Sequence, residues 1–105
     1  MVARTWRGVT RADDSDRYAK YIEDTGLRAY SETPGNRGAY LLRRPTTEAG
    51  EPAVEFFVLS FWDDMEAVKR FAGPMPERAV FYPEDDGFLV RRDLAVDHFE
   101  VVGKY

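Results

Sequence analysis

The sequence contains no cysteine and a single histidine, His98. Without cysteine the chain cannot form a disulfide, use a thiolate nucleophile or build a zinc–sulfur site. It also has no excess of basic residues, because 15 lysines and arginines stand against 19 acidic residues, for a net charge of −4. Arginines occur in two adjacent pairs, at 43–44 and 91–92, and form no extended basic stripe. This composition argues against a nucleic-acid partner.

Long hydrophobic runs are also absent, since the longest, residues 54–62, is too short to span a membrane. The first residues carry no apolar segment of the signal-peptide type. We therefore expect a cytoplasmic protein without membrane contact. The length of 105 residues predicts one domain, residues 1–105, with its own hydrophobic core. The acidic residues 84–86 lack the spacing of a calcium loop and predict a solvated turn, so we expect no metal site and no bound cofactor.

Residues 54–62 are the most informative stretch of the chain. β-Branched and aromatic residues dominate it, and both of its faces are apolar, which is typical of a strand buried on two sides. The apolar residues that follow recur at helical spacing: Met65, Val68, Phe71 and Ala72. We expect Asp63 to cap this helix, with Glu66 in the capping-box position, and the Gly-Pro pair at 73–74 to end it.

The rest of the chain is predicted as further strands, one more helix and their connections. The predicted elements are a first strand at 2–10, a helix from 13–16 to Thr25 that continues through Tyr30, a second strand at 36–44, a hydrophilic connection with a floppy tip at 45–52, a helical turn at 77–82, an exposed turn or loop at 83–87, a short extra strand at 88–91 and a final strand at 94–102. Their order, β-α-β-β-α-β, predicts an α+β fold with a ferredoxin-like, four-stranded antiparallel sheet.

In this arrangement both helices cover one face of the sheet and leave the other face open. The central strand nevertheless carries Phe57, Leu59 and Phe61 on the side opposite Phe56 and Val58. An open apolar patch of that size is unusual in a monomer. We therefore predict a homodimer that forms through the open face of the sheet.

Three segments carry a resemblance to a known family. They are the first-strand start at 3–8 (ARTWRG), the beginning of the second strand at 33–38 (TPGNRG) and, most specifically, residues 57–68 (FVLSFWDDMEAV) with the downstream Phe71. With this element order, the chain resembles the antibiotic-biosynthesis-monooxygenase-like members of the dimeric α+β barrel superfamily. The resemblance implies a dimeric α+β barrel. It leaves the reaction open, because members include cofactor-independent quinone-forming oxygenases, haem-degrading enzymes and small proteins of unknown role.

The haem-degrading members use an asparagine on the first strand, a tryptophan in the second helix and a histidine just after it. The corresponding positions here are Trp6, Phe71 and a position near Phe81 or Tyr82, so none of the three matches. Haem degradation is therefore disfavoured. Two hypotheses remain: a cofactor-independent monooxygenase acting on a small aromatic or polyketide-like substrate, and a non-catalytic, small-ligand-binding or stress-associated dimer.

Strand alternation predicts where a pocket for a small aromatic ligand would lie. If even-numbered residues share a face, one side of the sheet presents Arg4, Trp6, Tyr40, Ser60 and His98, and Tyr21, Phe71 and Tyr82 close over it. His98 is the candidate catalytic base or proton donor, and its alternative role is that of a core histidine with a hydrogen-bond partner. Arg4 is predicted either to form an ion pair with Glu100 or to bind an anionic substrate, and the ion pair is the favoured prediction.

Overall fold

The computed structural model describes residues 1–105 as an antiparallel sheet with helices packed on one face. The elements are β1 (Val2–Arg11), α1 (Ser15–Ile22), α2 (Arg28–Glu32), β2 (Asn36–Glu48), β3 (Glu51–Trp62), α3 (Met65–Ala72), α4 (Asp85–Phe88), β4 (Leu89–Arg92) and β5 (Asp97–Glu100). No helix is long and apolar enough to cross a membrane. The α+β, ferredoxin-like fold class is confirmed.

The informative run at 54–62 forms most of β3, which lies between β1 and β2 in the strand order β2-β3-β1-β4. Directly opposed residues of antiparallel strands share a face. Arg4 of β1 lies opposite Ser60 of β3, and Trp6 lies opposite Val58. Side chains at even positions of both strands therefore point to the same side of the sheet, which is the side covered by the helices.

The hairpin of β2 and β3 is longer than the sequence pattern indicates. Pairing continues to Glu48 and Glu51, so the chain reverses in a turn of two residues. Ala49 and Gly50 both have positive φ, 51° and 79°, as the tight turns that match strand twist require. The predicted floppy tip at 45–52 is therefore wrong, because most of that segment is paired strand.

The first helical segment runs without interruption from Ala12 to Glu32, although its winding changes. A short 3₁₀ turn precedes α1, and a π-helical turn, Glu23–Leu27, joins α1 to α2. Gly26 lies buried in this turn, where a Cβ would come within 3.6 Å of the Tyr82 ring. The glycine thus marks the place where the helix widens and packs against the segment that closes the cavity described below.

The cap of α3 is one residue later than expected. The Asp64 carboxylate accepts the Ala67 backbone N–H at 2.9 Å, whereas Asp63 pairs with Arg37 at the start of β2. The prediction of Asp63 as the cap was therefore wrong. Gly73 ends the helix with φ of 83°, as the sequence indicated.

The edge of the sheet beside β1 differs most from the prediction. The predicted short extra strand at 88–91 forms as β4, which pairs with one end of β1, whereas the predicted final strand at 94–102 is shortened to β5, which pairs with the other end. Between them, residues 94–96 leave the sheet and hydrogen-bond to residues 77–79. The sheet consequently has five strands rather than four. The predicted helical turn at 77–82 is wrong, because Arg78 forms a β-bridge with Ala95 and residues 79–82 adopt no helix.

Aromatic residues dominate the core between sheet and helices. Trp62, Tyr18 and Phe56 are fully buried there, together with Val68 of α3. The opposite face of the sheet has no covering element. Leu59 is half-buried on that face, while Tyr40, Leu42 and Phe99 are exposed.

Candidate active site

A cavity opens between the helices and the central strands of the sheet. The space between its walls is about 480 Å³, part of it open to solvent. Aromatic side chains form much of the wall: Trp6, Tyr18, Tyr30, Phe71 and Tyr82. Two charged side chains, Arg4 and Asp85, also line it. A mostly apolar cavity with a few polar groups is the usual form of a small-molecule site.

Arg4 is a buried cation whose partners are uncharged. Only 2% of the residue is exposed, and its Nη1 donates to the Pro76 carbonyl and to His98 Nε2 at 3.0 Å. Its Nη2 donates to the Arg78 carbonyl at 3.3 Å. Arg4 therefore anchors the segment at 76–78 to the sheet.

No carboxylate neutralises Arg4, and one of its donors has no acceptor. The Nε–H is buried without a hydrogen-bond partner in the chain. The predicted ion pair with Glu100 is wrong, because Glu100 is exposed and lies opposite Val2 at the end of the sheet. Burial lowers the pKa of Arg4, against the effect of the Tyr30 hydroxyl, yet a guanidinium stays protonated in proteins. The cavity thus has an uncompensated positive charge in its wall.

His98 lies on the predicted face of the sheet, directly opposite Arg4 in the pairing of β5 with β1. A guanidinium can only donate, so His98 Nε2 accepts from Arg4 and its ring proton is on Nδ1. Burial, and next the Arg4 charge, lower the pKa of His98, which favours the neutral ring. His98 does not line the cavity. Its contacts are those of a residue that positions Arg4, and its Nε2 lone pair is already engaged.

Tyr40 is not part of the cavity, which corrects its place in the predicted site. It lies opposite Leu59 on the open face and is 64% exposed. The reason is the two-residue turn of the hairpin, which pairs odd-numbered residues of β2 with even-numbered residues of β3. Even numbering therefore identifies different faces in these two strands.

Ser60 is on the predicted face but lies beneath the cavity rather than in its wall. Its Oγ accepts the indole N–H of Trp62 at 2.9 Å and lies 3.4 Å from the Arg4 carbonyl oxygen. The residue is fully buried. These contacts satisfy the polar groups of the core and leave Ser60 no access to a ligand.

Trp6, Phe71 and Tyr82 do line the cavity, as the sequence pattern predicted. The Trp6 ring lies over Gly8, where a Cβ would come within 2.4 Å of a ring carbon, and its indole N–H donates to the Asp93 carbonyl at 2.8 Å. Phe71 packs edge-on against Tyr30, with ring centroids 4.6 Å apart. Tyr21 does not line the cavity, but its hydroxyl accepts the Glu84 backbone N–H at 3.0 Å and holds the adjacent turn.

Asp85 is the residue of this site that the sequence did not reveal. It was expected in a solvated turn, but it begins the short α4 and is only 5% exposed. One carboxylate oxygen accepts the Tyr82 backbone N–H at 2.6 Å, and the other lies 3.4 Å from the Tyr18 hydroxyl. Neighbouring acids look alike in sequence, and no spacing distinguishes the one that turns inward.

Burial raises the pKa of Asp85 above that of an ordinary aspartic acid, although the hydrogen bonds from Tyr82 and Tyr18 and the charge of Arg92 oppose the shift. Burial, followed by the charge of Asp85, also raises the pKa of Tyr18, so its phenol stays protonated and donates. A carboxylate in such surroundings holds a proton more readily than one in water. No group of three or more His, Cys, Asp or Glu side chains is arranged to hold a metal ion.

Comparison with known proteins finds similar structures but no protein with a significantly similar sequence. No family model and no curated protein matches the chain. Solved structures do match over almost its full length. The heme-degrader MhuD from Mycobacterium tuberculosis, with two hemes bound in its active site, has 20% identity and a TM-score of 0.62, covering 100% of this chain and 99% of that chain. A candidate antibiotic biosynthesis monooxygenase from Bacillus cereus has 14% identity and a TM-score of 0.66, covering 99% and 93%.

HapK from Hahella chejuensis matches in the same way, with 12% identity, a TM-score of 0.60 and coverage of 100% of this chain and 96% of that chain. At these identities the likeness is one of fold. The fold implied by the resemblance to antibiotic-biosynthesis-monooxygenase-like proteins is therefore confirmed.

Proposed function

We propose that this chain, which has the fold of the antibiotic-biosynthesis-monooxygenase-like α+β barrels, is a cofactor-independent monooxygenase for a small aromatic or polyketide-like substrate. The observation that carries the proposal is the aromatic cavity whose wall contains Arg4, a buried cation with no counter-charge. Such a cavity favours the anion of an acidic aromatic compound over the neutral molecule, because a fixed positive charge that is itself buried interacts more strongly with an anion than a charge in water does.

The reaction class needs only a substrate anion and dioxygen. Deprotonation of an enolisable aromatic ketone gives an electron-rich carbanion that reacts with O₂. With anthrone as the probe, one molecule of anthrone and one of O₂ give one anthraquinone and one water, so no further reductant is consumed. The protein then has to bind the ring, hold the anion and accept a proton.

The test is oxygen uptake by the protein with anthrone, in buffer with a chelator and no flavin. Product formation follows from the absorbance of anthraquinone. We expect uptake above the spontaneous rate, with one O₂ consumed per anthraquinone formed. Uptake no faster than in a protein-free blank, over a range of enolisable and phenolic aromatic probes, would overturn the proposal.

A non-catalytic ligand-binding protein is the second candidate. The engagement of His98 Nε2 with Arg4 favours it, because the only histidine of the chain is then not available as a base. The two candidates separate in one titration, because Trp6 lines the cavity and its fluorescence reports binding. Saturable quenching by anthrone without oxygen uptake would identify a binding protein.

Haem degradation is not extended to this chain from MhuD. The positions at which the haem-degrading members of the family carry asparagine and tryptophan correspond to Trp6 and Phe71, and the only imidazole has its Nε2 engaged by Arg4. Incubation with haem and a reductant is therefore expected to leave the Soret band of haem unchanged. Steady loss of that band with formation of a biliverdin-like product would contradict this expectation.

The open face of the sheet is proposed to bind the same face of a second copy. Half-buried Phe57 and Leu59 lie there beside exposed Tyr40 and Phe99, and the Arg7 guanidinium stacks 5.2 Å from the Phe57 ring. An apolar patch of this kind is complementary to itself across a two-fold axis. This is also the arrangement that the resemblance to the dimeric barrels implies. We also propose that the protein is cytoplasmic.

Replacement of Leu59 by Glu tests the dimer, because Leu59 lies at the middle of the open face, opposite Thr5 and Tyr40. We expect sedimentation at micromolar concentration to give about twice the 12.1 kDa chain mass for the wild type and the chain mass for Leu59→Glu. The control is Leu94→Glu, the same change at an exposed leucine between β4 and β5. A wild-type particle of 12.1 kDa would contradict the dimer.

A further inference from the structure

Two opposite charges line the same cavity without neutralising each other. Arg4 and Asp85 are both largely buried, yet no ion pair joins them. The neighbours of Arg4 are Tyr30, His98 and the Phe71 ring, whose centroid lies 5.8 Å from the guanidinium carbon. Because the buried cation and the buried carboxylate do not pair, a ligand bound in the cavity can contact a hydrogen-bond donor at Arg4 and an acceptor at Asp85. The two groups would therefore fix the orientation of the ligand.

The carboxylate side of the cavity has its own surroundings. Asp85 is held by Tyr18 from α1 and by the Tyr82 backbone, and the Tyr82 ring also lines the cavity. Each carboxylate oxygen has two lone pairs, and the chain uses one of each. The free lone pairs leave Asp85 able to accept one more proton.

We propose that Asp85 is the catalytic base of this site and that Arg4 holds the anion it creates. The inference rests on the proposed function and deepens it by naming the substrate class: a small planar aromatic ketone or phenol with an acidic C–H or O–H on one side and a carbonyl or hydroxyl oxygen on the other.

The proposed step is a proton transfer that balances without an oxidant. The C–H bond of the substrate breaks, its proton goes to the Asp85 carboxylate, and the electron pair moves through the ring onto the carbonyl oxygen. That oxygen becomes an enolate and is stabilised by the charge of the Arg4 guanidinium, which no carboxylate neutralises and whose Nε–H has no acceptor in the chain. Dioxygen enters only after this step, so proton transfer can be measured without oxygenation.

The experiment is hydrogen–deuterium exchange of anthrone in D₂O under nitrogen, measured by the loss of its methylene proton signal. The wild type is expected to accelerate exchange over the buffer, and Asp85→Asn to slow it by roughly a hundredfold or more. The substitution is selective, because an amide oxygen still accepts the Tyr82 N–H and keeps the turn closed, while the base is lost. The matched control is Asp86→Asn, the neighbouring acid, which is exposed and pairs with Arg92. Asp86→Asn is expected to exchange at the wild-type rate above the pH range in which Asp85 loses its proton, because Asp86 affects only the pKa of Asp85.

The pH profile separates a base from a merely structural carboxylate. The groups that face Asp85 are Tyr18 from α1, Tyr82, Asp86 and Arg92, and Tyr21 lies beside Tyr18. Because burial raises the pKa of Asp85, exchange should rise with pH over a range above that of an ordinary aspartic acid. The rise should be missing in Asp85→Asn and present in Asp86→Asn.

Each outcome bears on one proposal. Exchange at the wild-type rate in folded Asp85→Asn, or no acceleration by the wild type, would overturn the assignment of Asp85. Accelerated exchange under nitrogen that depends on Asp85, without oxygen uptake in air, would support the assignment and overturn the monooxygenase. Oxygen uptake that survives in Asp85→Asn would leave the monooxygenase standing and reject the base.

Discussion

Arg4→Met is expected to abolish the preference of the cavity for anions. In the wild type, 4-nitrophenol bound in the cavity should ionise at lower pH than the free dye, because the Arg4 charge stabilises the phenolate. Without that charge the apolar wall disfavours the phenolate, so the pKa of the bound dye should be about two units higher in the variant than in the wild type, a hundredfold change in the ionisation constant. The pKa of the bound dye is measured from the absorbance of the phenolate during a pH titration.

The control is Arg44→Met, which removes an exposed arginine of β2 that pairs with Glu55 outside the cavity. It should leave the titration of the bound dye unchanged. The melting temperature of Arg4→Met is the second measurement. The variant loses donors to the Pro76 and Arg78 carbonyls, but it no longer buries an unpaired cation, so its free energy of unfolding should change by no more than about 1–3 kcal/mol. Identical dye titrations in a folded Arg4→Met variant would refute the role of Arg4 as the anion-binding group.

Trp62→Ala is expected to cause the largest loss of stability. Trp62 is fully buried at the end of β3, with Tyr30 5.4 Å and Phe71 5.9 Å away between ring centroids. Removing a buried tryptophan costs about 3–5 kcal/mol, through lost burial and the cavity that remains. Domains of this kind are stable by about 5–15 kcal/mol. Urea unfolding should therefore show a much lower midpoint, or a chain that is already unfolded without denaturant.

Trp62→Phe separates packing from hydrogen bonding. It keeps an aromatic ring between Tyr30 and Phe71 but removes the indole N–H that donates to Ser60 Oγ. A loss of about 1–2 kcal/mol is expected, smaller than that for alanine. Equal losses for the two variants would contradict the view that the ring packing of Trp62 supports the aromatic wall of the cavity.

Two residues at the site illustrate how far alternation along a strand can be taken. Arg4 and His98 are both on the face that alternation predicts, and they contact each other across β1 and β5. Alternation does not predict that the two side chains would hydrogen-bond to each other. The expected roles of His98 as a base and of Arg4 as a partner of Glu100 consequently differ from the contacts seen, in which His98 positions Arg4.

The sequence by itself determined the element order, the two-sided apolar central strand and the helix that follows it. These features depend on residues close together in sequence, and the spacing of the apolar residues indicates which face of a strand or helix is buried. Alternation along the first strand and the helical spacing of the apolar residues after Trp62 also predicted Trp6 and Phe71 in the cavity wall, where both lie.

Tertiary structure decided the features that depend on distant parts of the chain. The two-residue turn after Glu48 set the register of β2 and put Tyr40 on the open face. The pairing of residues 77–79 with 94–96 shortened the last strand and brought the Pro76 and Arg78 carbonyls to Arg4. The packing of α1 against the short α4 buried Asp85 beside Tyr18. Contacts between segments far apart in sequence determine which strands pair, how long a turn is and which of several acidic residues is buried. A pattern of neighbouring residues cannot predict these features.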